Sequence, residues 1–133
     1  MINNIGVLTV NQANLESGLV RILNTNGFLT VNDVNIASTS SDNLAFVQTV
    51  GAGSSIAVGS INAGSRGRVI IDSGNDIFDT EQLDNLFVEG EFLSAISRNG
   101  TDNPFDGIIL NVDVDEFVVD AQLGGEAFVR QAG

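Results

Sequence analysis

The sequence predicts an all-β domain, mainly antiparallel and sandwich- or barrel-like, with β-repeats in its N-terminal half and at most one short helix near residues 80–87. Three observations predict this: a duplicated segment, apolar residues that alternate with a period of two, and an Asn/Gly-rich turn between two such runs. Gly6-Val7-Leu8-Thr9-Val10-Asn11-Gln12-Ala13-Asn14-Leu15-Glu16-Ser17 aligns without gaps to Gly27-Phe28-Leu29-Thr30-Val31-Asn32-Asp33-Val34-Asn35-Ile36-Ala37-Ser38, with seven of twelve positions identical. A third copy over 54–65 keeps the apolar pattern together with Val58, Asn62 and Ser65, and a fourth runs from Gly67 through Val69-Ile70-Ile71 to Asn75. Self-similarity of this kind marks one supersecondary unit used several times.

Within each unit Leu-Thr-Val sends neighbouring side chains to opposite faces, which is the period of a strand and not of a helix. The paired asparagines bracket a bend, where Asn tolerates left-handed backbone and bonds to its own neighbours. The runs 19–23 and 28–31 flank Asn24-Thr25-Asn26-Gly27, which reads as a hairpin. Further strands are expected at 44–50, 55–61, 68–71, 86–96, 107–114 and 116–120. Asp79-Thr80-Glu81-Gln82 can cap and charge a helix start, and Leu83, Leu86 and Phe87 would share one face of one or two turns. Asn99-Gly100, the only proline (Pro104) and Asp106-Gly107 mark 98–107 as an exposed loop.

The 133 residues fit one domain, 1–133, and 43% hydrophobic content supports a packed interior despite a net charge of −12. No run approaches the ~18–20 apolar residues of a membrane span, and 1–18 lacks a basic start followed by an apolar stretch, so neither a span nor a Sec-type signal is expected. Without cysteine, stability must come from packing or association. Arg21, Arg66, Arg68, Arg98 and Arg130 are the only cationic side chains, so nucleic acid and anionic membrane are not expected partners. Residues 1–71 balance three acids against three arginines, whereas 72–133 hold fourteen acids against two. A neutral repeat-bearing half joined to an acidic half suggests one docking surface and one kept in solvent.

These residue types exclude several chemistries. A nucleophilic Ser or Thr needs a base, and the chain has neither His nor Lys. A carboxylate pair acting on glycosides would lack aromatic platforms other than Phe. Gly51-Ala52-Gly53-Ser54 has the glycines of a phosphate loop without its lysine or following helix. Asp113 and Asp115, with Glu116 and Asp120 near them, are the metal candidates, since calcium takes carboxylate and carbonyl oxygens. Two positions apart on a strand, however, Asp113 and Asp115 project from one solvent face, and Asp72-Ser73-Gly74-Asn75-Asp76 lacks the glycine and glutamate of an EF-hand loop. No catalytic residues, cofactor or formed metal site are expected, and the chain reads as a non-enzyme.

Val69-Ile70-Ile71-Asp72-Ser73-Gly74 resembles the strand and Asp-Ser-Gly loop of retroviral-type aspartic proteases. That resemblance implies a dimer whose paired carboxylates share a proton. Asn75 replaces the small residue usual after the glycine, and the later apolar pair with Gly-Arg is missing, which makes a structural turn the expectation for Asp72. The repeated Leu-Thr-Val-Asn and Asn-Ile units resemble the short β-repeats of fibres and surface-attached proteins of tailed phages and, less closely, those of bacterial filamentous adhesins. The phage resemblance implies a virion protein, a capsid decoration (cement) or fibre-base component, that forms a homo-oligomer, trimer favoured, and binds other virion or lattice proteins without chemistry. The alternatives are an extracellular carbohydrate- or calcium-dependent binding or adhesin module, which normally carries a secretion signal, and the aspartic-protease dimer. Burying clustered carboxylates is costly. The expected interface is therefore in the neutral half, at Leu8, Val10, Leu29 and Val31, with Arg66 and Arg68 meeting an acidic partner.

Overall fold

Every strand pairing in the computed structural model is parallel, and each strand pairs with the coil before or after it. The structure describes residues 1–79, 88–99, 107–122 and 126–131. Their strands are β1 (Ile2–Ile5), β2 (Leu8–Val10), β3 (Ala13–Leu15), β4 (Leu19–Thr25), β5 (Leu29–Ile36), β6 (Leu44–Val50), β7 (Ile56–Asn62), β8 (Arg68–Ser73), β9 (Ile77–Asp79), β10 (Val88–Ser97), β11 (Gly107–Ala121) and β12 (Glu126–Gln131). The chain is a β-solenoid in one parallel sheet, which overturns the expected antiparallel sandwich or barrel.

The coil has three sides. The first stacks β1, β4, β6, β8 and the second halves of β10 and β11; its register runs from Ile2 to Ile22 and, three residues earlier on β4, from Leu19 through Leu44, Arg68 and Phe92 to Glu116. The second stacks β2, the first halves of β5 and β7, β9, the start of β11 and β12. The third stacks β3, the second halves of β5 and β7, the start of β10 and the middle of β11.

The repeats seen in the sequence are this stacking. Leu8, Leu29 and Ile56 are register partners, as are Val10, Val31 and Val58, so the offsets between copies are coil lengths. The fourth copy does not continue the series: 67–75 lies on the first side, and Ile77-Phe78-Asp79 stacks on Ile56-Ala57-Val58 instead. Inward columns Val20-Ala45-Val69-Leu93, Ile22-Val47-Ile71-Ala95, Leu29-Ile56-Ile77-Ile108 and Val34-Ile61-Val88-Val112 fill the interior, every member buried. Each larger aliphatic side chain buried this way contributes about 1.5–3 kcal/mol by leaving water.

Alternation says which side chains point inward and nothing about strand direction, and so the hairpin reading fails at Asn24-Thr25-Asn26-Gly27. Asn26 takes the left-handed conformation (φ 53°), but the backbone groups of the turn bond along the solenoid axis: Gly6 N–H donates to Thr25 O (2.9 Å) and Asn26 N–H to Val50 O (2.8 Å). The turn is a corner between two sides. Asn24 points inward, donating to Gly27 O (3.0 Å) and accepting from Asn4 Nδ2 (2.8 Å), and Thr49, Ser73 and Ser97 continue this buried polar corner. Gly occupies position 27 because the corners touch, since a Cβ there would overlap the Gly6 carbonyl, and position 6 because its backbone takes φ 100°, a conformation that favours glycine.

Strand positions match the sequence expectation better than their pairing does. The predicted strands 107–114 and 116–120 merge into β11, and β1, β9 and β12 were not expected. Asp79 ends β9 as an extended residue; the rest of the expected helix, 80–87, and residues 100–106 of the expected loop lie outside the described residues.

Candidate interaction surface

Alternate side chains of the first-side strands point outward and stack in three columns along the axis. They are Leu19-Leu44-Arg68-Phe92-Glu116, Arg21-Phe46-Ile70-Ser94-Val118 and Leu23-Gln48-Asp72-Ile96-Asp120. Eight of these fifteen residues are large and apolar. Leu19 (55% exposed) and Val118 (54%) stand at the two ends, while Leu23, Leu44, Phe46, Ile70, Phe92 and Ile96 are half-buried against each other. Parallel sheets are normally covered on both faces, and their strands then read as continuous apolar runs. Leu44-Ala45-Phe46-Val47 and Val69-Ile70-Ile71 are such runs, one face filling the coil and the other facing out. Among the described residues nothing packs on the outer one.

Charge on this surface is polarised along the axis. The Arg21 guanidinium lies over the Phe46 ring, 5.5 Å from its centroid, and Arg68 is exposed in the middle row. Glu116 and Asp120 are exposed in the last row. The one ion pair among the described residues is Arg98 with Asp72, bidentate at 2.7 and 3.0 Å, with Gln48 Nε2 donating to the same carboxylate at 3.4 Å. The hydrogen bond and charge of Asp72 raise the Arg98 guanidinium above its ordinary range. The Asp-Ser-Gly motif is thus built into the coil: Asp72 is held by a cation, and the single proton of Ser73 Oγ has two carbonyl acceptors in reach, Ser54 O (3.1 Å) and Asp76 O (2.9 Å).

The third side is polar. Asn14, Asn35, Asn62, Glu89 and Asp113 form one outward column, and Asn62, Glu89, Asp113 and Asp115 line a cleft of about 290 Å³ with Gly64, Ser65 and Gly90. Asp113 and Asp115 are exposed and alternate with buried Val112 and Val114, so they share one solvent face. Among the described residues no group of three or more His, Cys, Asp or Glu side chains could hold a metal ion.

The expected interface residues divide by orientation. Leu29 and Val31 are fully buried, Val10 is 7% exposed and Leu8 is half-buried, all pointing into the coil on the second side. Their side chains help to build the core, Leu8 from the first coil of the stack. Arg66, in the loop before β8, and Arg68, on the outer first side, are both exposed. The outward residues Leu19, Leu44, Phe46, Ile70, Phe92 and Val118 recur once per coil without identity, so the sequence marks them only through apolar residues at both parities in 44–47 and 69–71. Comparisons with family models, with characterised proteins and with solved structures find no match to this chain.

Proposed function

We propose that the protein is a structural module of a larger assembly, a virion component of the capsid-decoration or fibre-base kind, which works by presenting surfaces and not by chemistry. The observation that carries this reading is the flat outer first side, whose eight large apolar residues lie on a parallel sheet that has no cover among the described residues. A solenoid stacks its residues at a fixed rise and offers extended faces suited to lattices and fibres. An exposed apolar patch rimmed by charge marks an interaction site.

Immuno-electron microscopy of cultures of the source organism, with antibody raised against this chain, tests the proposal. Gold on assembled particles or their appendages is the expected result. Labelling confined to the cell surface favours the adhesin alternative, for which the polar third side with its acidic cleft would be the binding face. Label dispersed through the cytosol contradicts both.

A further inference from the structure

We infer that the outer first side is covered by a second copy of this chain, packed face to face with the two solenoid axes antiparallel. The inference rests on the structural reading above and names its first partner.

Charge distribution identifies the occupant. Of the five rows from β4 to β11, the first carries Arg21, the middle one Arg68, and the last Glu116 and Asp120, none of these four in an ion pair among the described residues. A two-fold axis along the strand direction through the middle row places the first row of one copy against the last row of the other. Arg21 of each copy then meets the row holding Glu116 and Asp120 of its partner, twice per dimer, and Ile70 packs near the axis on its own symmetry mate. Leu44 and Phe46 face the row of Phe92 and Ile96. Arg68 and Asp72, in the middle row, each meet their own mate; Arg98 already neutralises each Asp72, and the one remaining like-charge contact, Arg68 on Arg68, is set against two Arg21 contacts with the acidic row. Isologous pairing of this kind closes on itself and leaves no repeating contact. The alternative two-fold, along the solenoid axis, would put Arg21 on Arg21 and Glu116 beside Asp120, where like charges repel. It would also bring Arg68 to Asp72, but that carboxylate is already held by Arg98 and gains little from a second cation.

The size of the face agrees. Five rows at about 4.8 Å and strands of about seven residues at about 3.3 Å per residue give a flat projection of roughly 550 Å² per copy. Two copies bury about 1,100 Å² before side-chain relief is counted, close to the ~1,200 Å² at which specific interfaces begin. The third side, with Glu89, Asp113 and Asp115, stays in water.

Sedimentation equilibrium over a wide concentration range tests the inference, with far-ultraviolet circular dichroism to confirm folding of each variant. The expected mass is twice the 13.9 kDa chain. Arg21→Glu and the pair Glu116→Arg with Asp120→Arg should each weaken dimerisation at least about tenfold. All three changes in one chain should restore it, because each copy again presents opposite signs to the other. Asp113→Asn with Asp115→Asn should leave the mass unchanged. A monomer at all concentrations, a trimer, or a charge reversal that the triple variant does not rescue overturns it. A monomer found alongside particle labelling would remove this inference while leaving the structural role standing.

Discussion

Asn43 ties three successive coils together, and removing its side chain tests how the solenoid is held. It is fully buried just before β6. Its Oδ1 accepts from Gly18 N–H (3.0 Å) one coil back, and its Nδ2 donates to Ser38 O (2.9 Å) across its own corner and to Ala63 O (3.1 Å) one coil on. Asn43→Ala leaves the part-buried Gly18 amide, the part-buried Ser38 carbonyl and the buried Ala63 carbonyl to find other partners. A buried group left unsatisfied costs about 1–3 kcal/mol, and the Ser38 hydroxyl, 3.1–3.3 Å from the Asn43 amide, can turn to serve one of them. The expected loss is about 2–4 kcal/mol. Asn43→Asp should behave differently with pH. A carboxylate facing Ser38 O and Ala63 O is disfavoured when ionised, so the folded-state pKa of the introduced carboxyl rises above its unfolded value. Stability is then highest at acid pH and falls as pH rises from the unfolded pKa through the folded one. Urea unfolding followed by far-ultraviolet circular dichroism measures both effects, since the chain has no Trp or Tyr for fluorescence. An Asn43→Ala loss smaller than that of one ordinary hydrogen bond, or an Asp variant whose stability rises with pH, would refute the account of this corner.

Three further outcomes follow from the packing. Gly59→Asn, which restores the residue of the two earlier repeats, should destabilise by at least about 1–3 kcal/mol, the scale of overpacking, because a Cβ there would overlap Asn32 O; thermal melts check it. Leu29→Glu should abolish folding rather than association, since it places a carboxylate among Leu8, Ile56 and the rest of the core; loss of the dichroism signal distinguishes the two. Asp113→Asn should raise stability by a few tenths of a kcal/mol at low salt, by relieving repulsion from its register partner Glu89, with the gain shrinking as salt is added.

Strand positions and coil lengths were legible in the sequence, and strand direction was not. Residues 44–50 could be read as a strand because a bounded, β-branched run needs no partner to be recognised. The offsets between copies were legible because Leu-Thr-Val-Asn recurs by identity, and those offsets are the stacking register itself. What misled was Asn24-Thr25-Asn26-Gly27: the φ > 0 residue that closes a hairpin also turns a solenoid corner, and only the destination of the backbone hydrogen bonds separates them. Outer residues such as Phe46 and Phe92 stayed hidden for a related reason. Columns are formed by residues one coil apart, and on the first side size and polarity vary freely from row to row, so no local pattern announces the surface. The burial of Leu29 and Val31 is likewise not legible locally, because the coils that cover them lie 21 and 27 residues away.

The parallel coil is tested most directly by cross-linking, which the absence of native cysteine makes unambiguous. Leu23 and Gln48 are outward register partners on adjacent coils, within the Cα separation that a disulfide spans. Oxidation of a Leu23→Cys, Gln48→Cys variant should close an intrachain disulfide quickly and nearly completely, read from the mass of the unreduced peptides. The Leu23→Cys, Phe28→Cys variant, whose residues would face each other across a hairpin, should remain reduced under the same conditions. The reverse result, with 23 linked to 28 and not to 48, would contradict the solenoid.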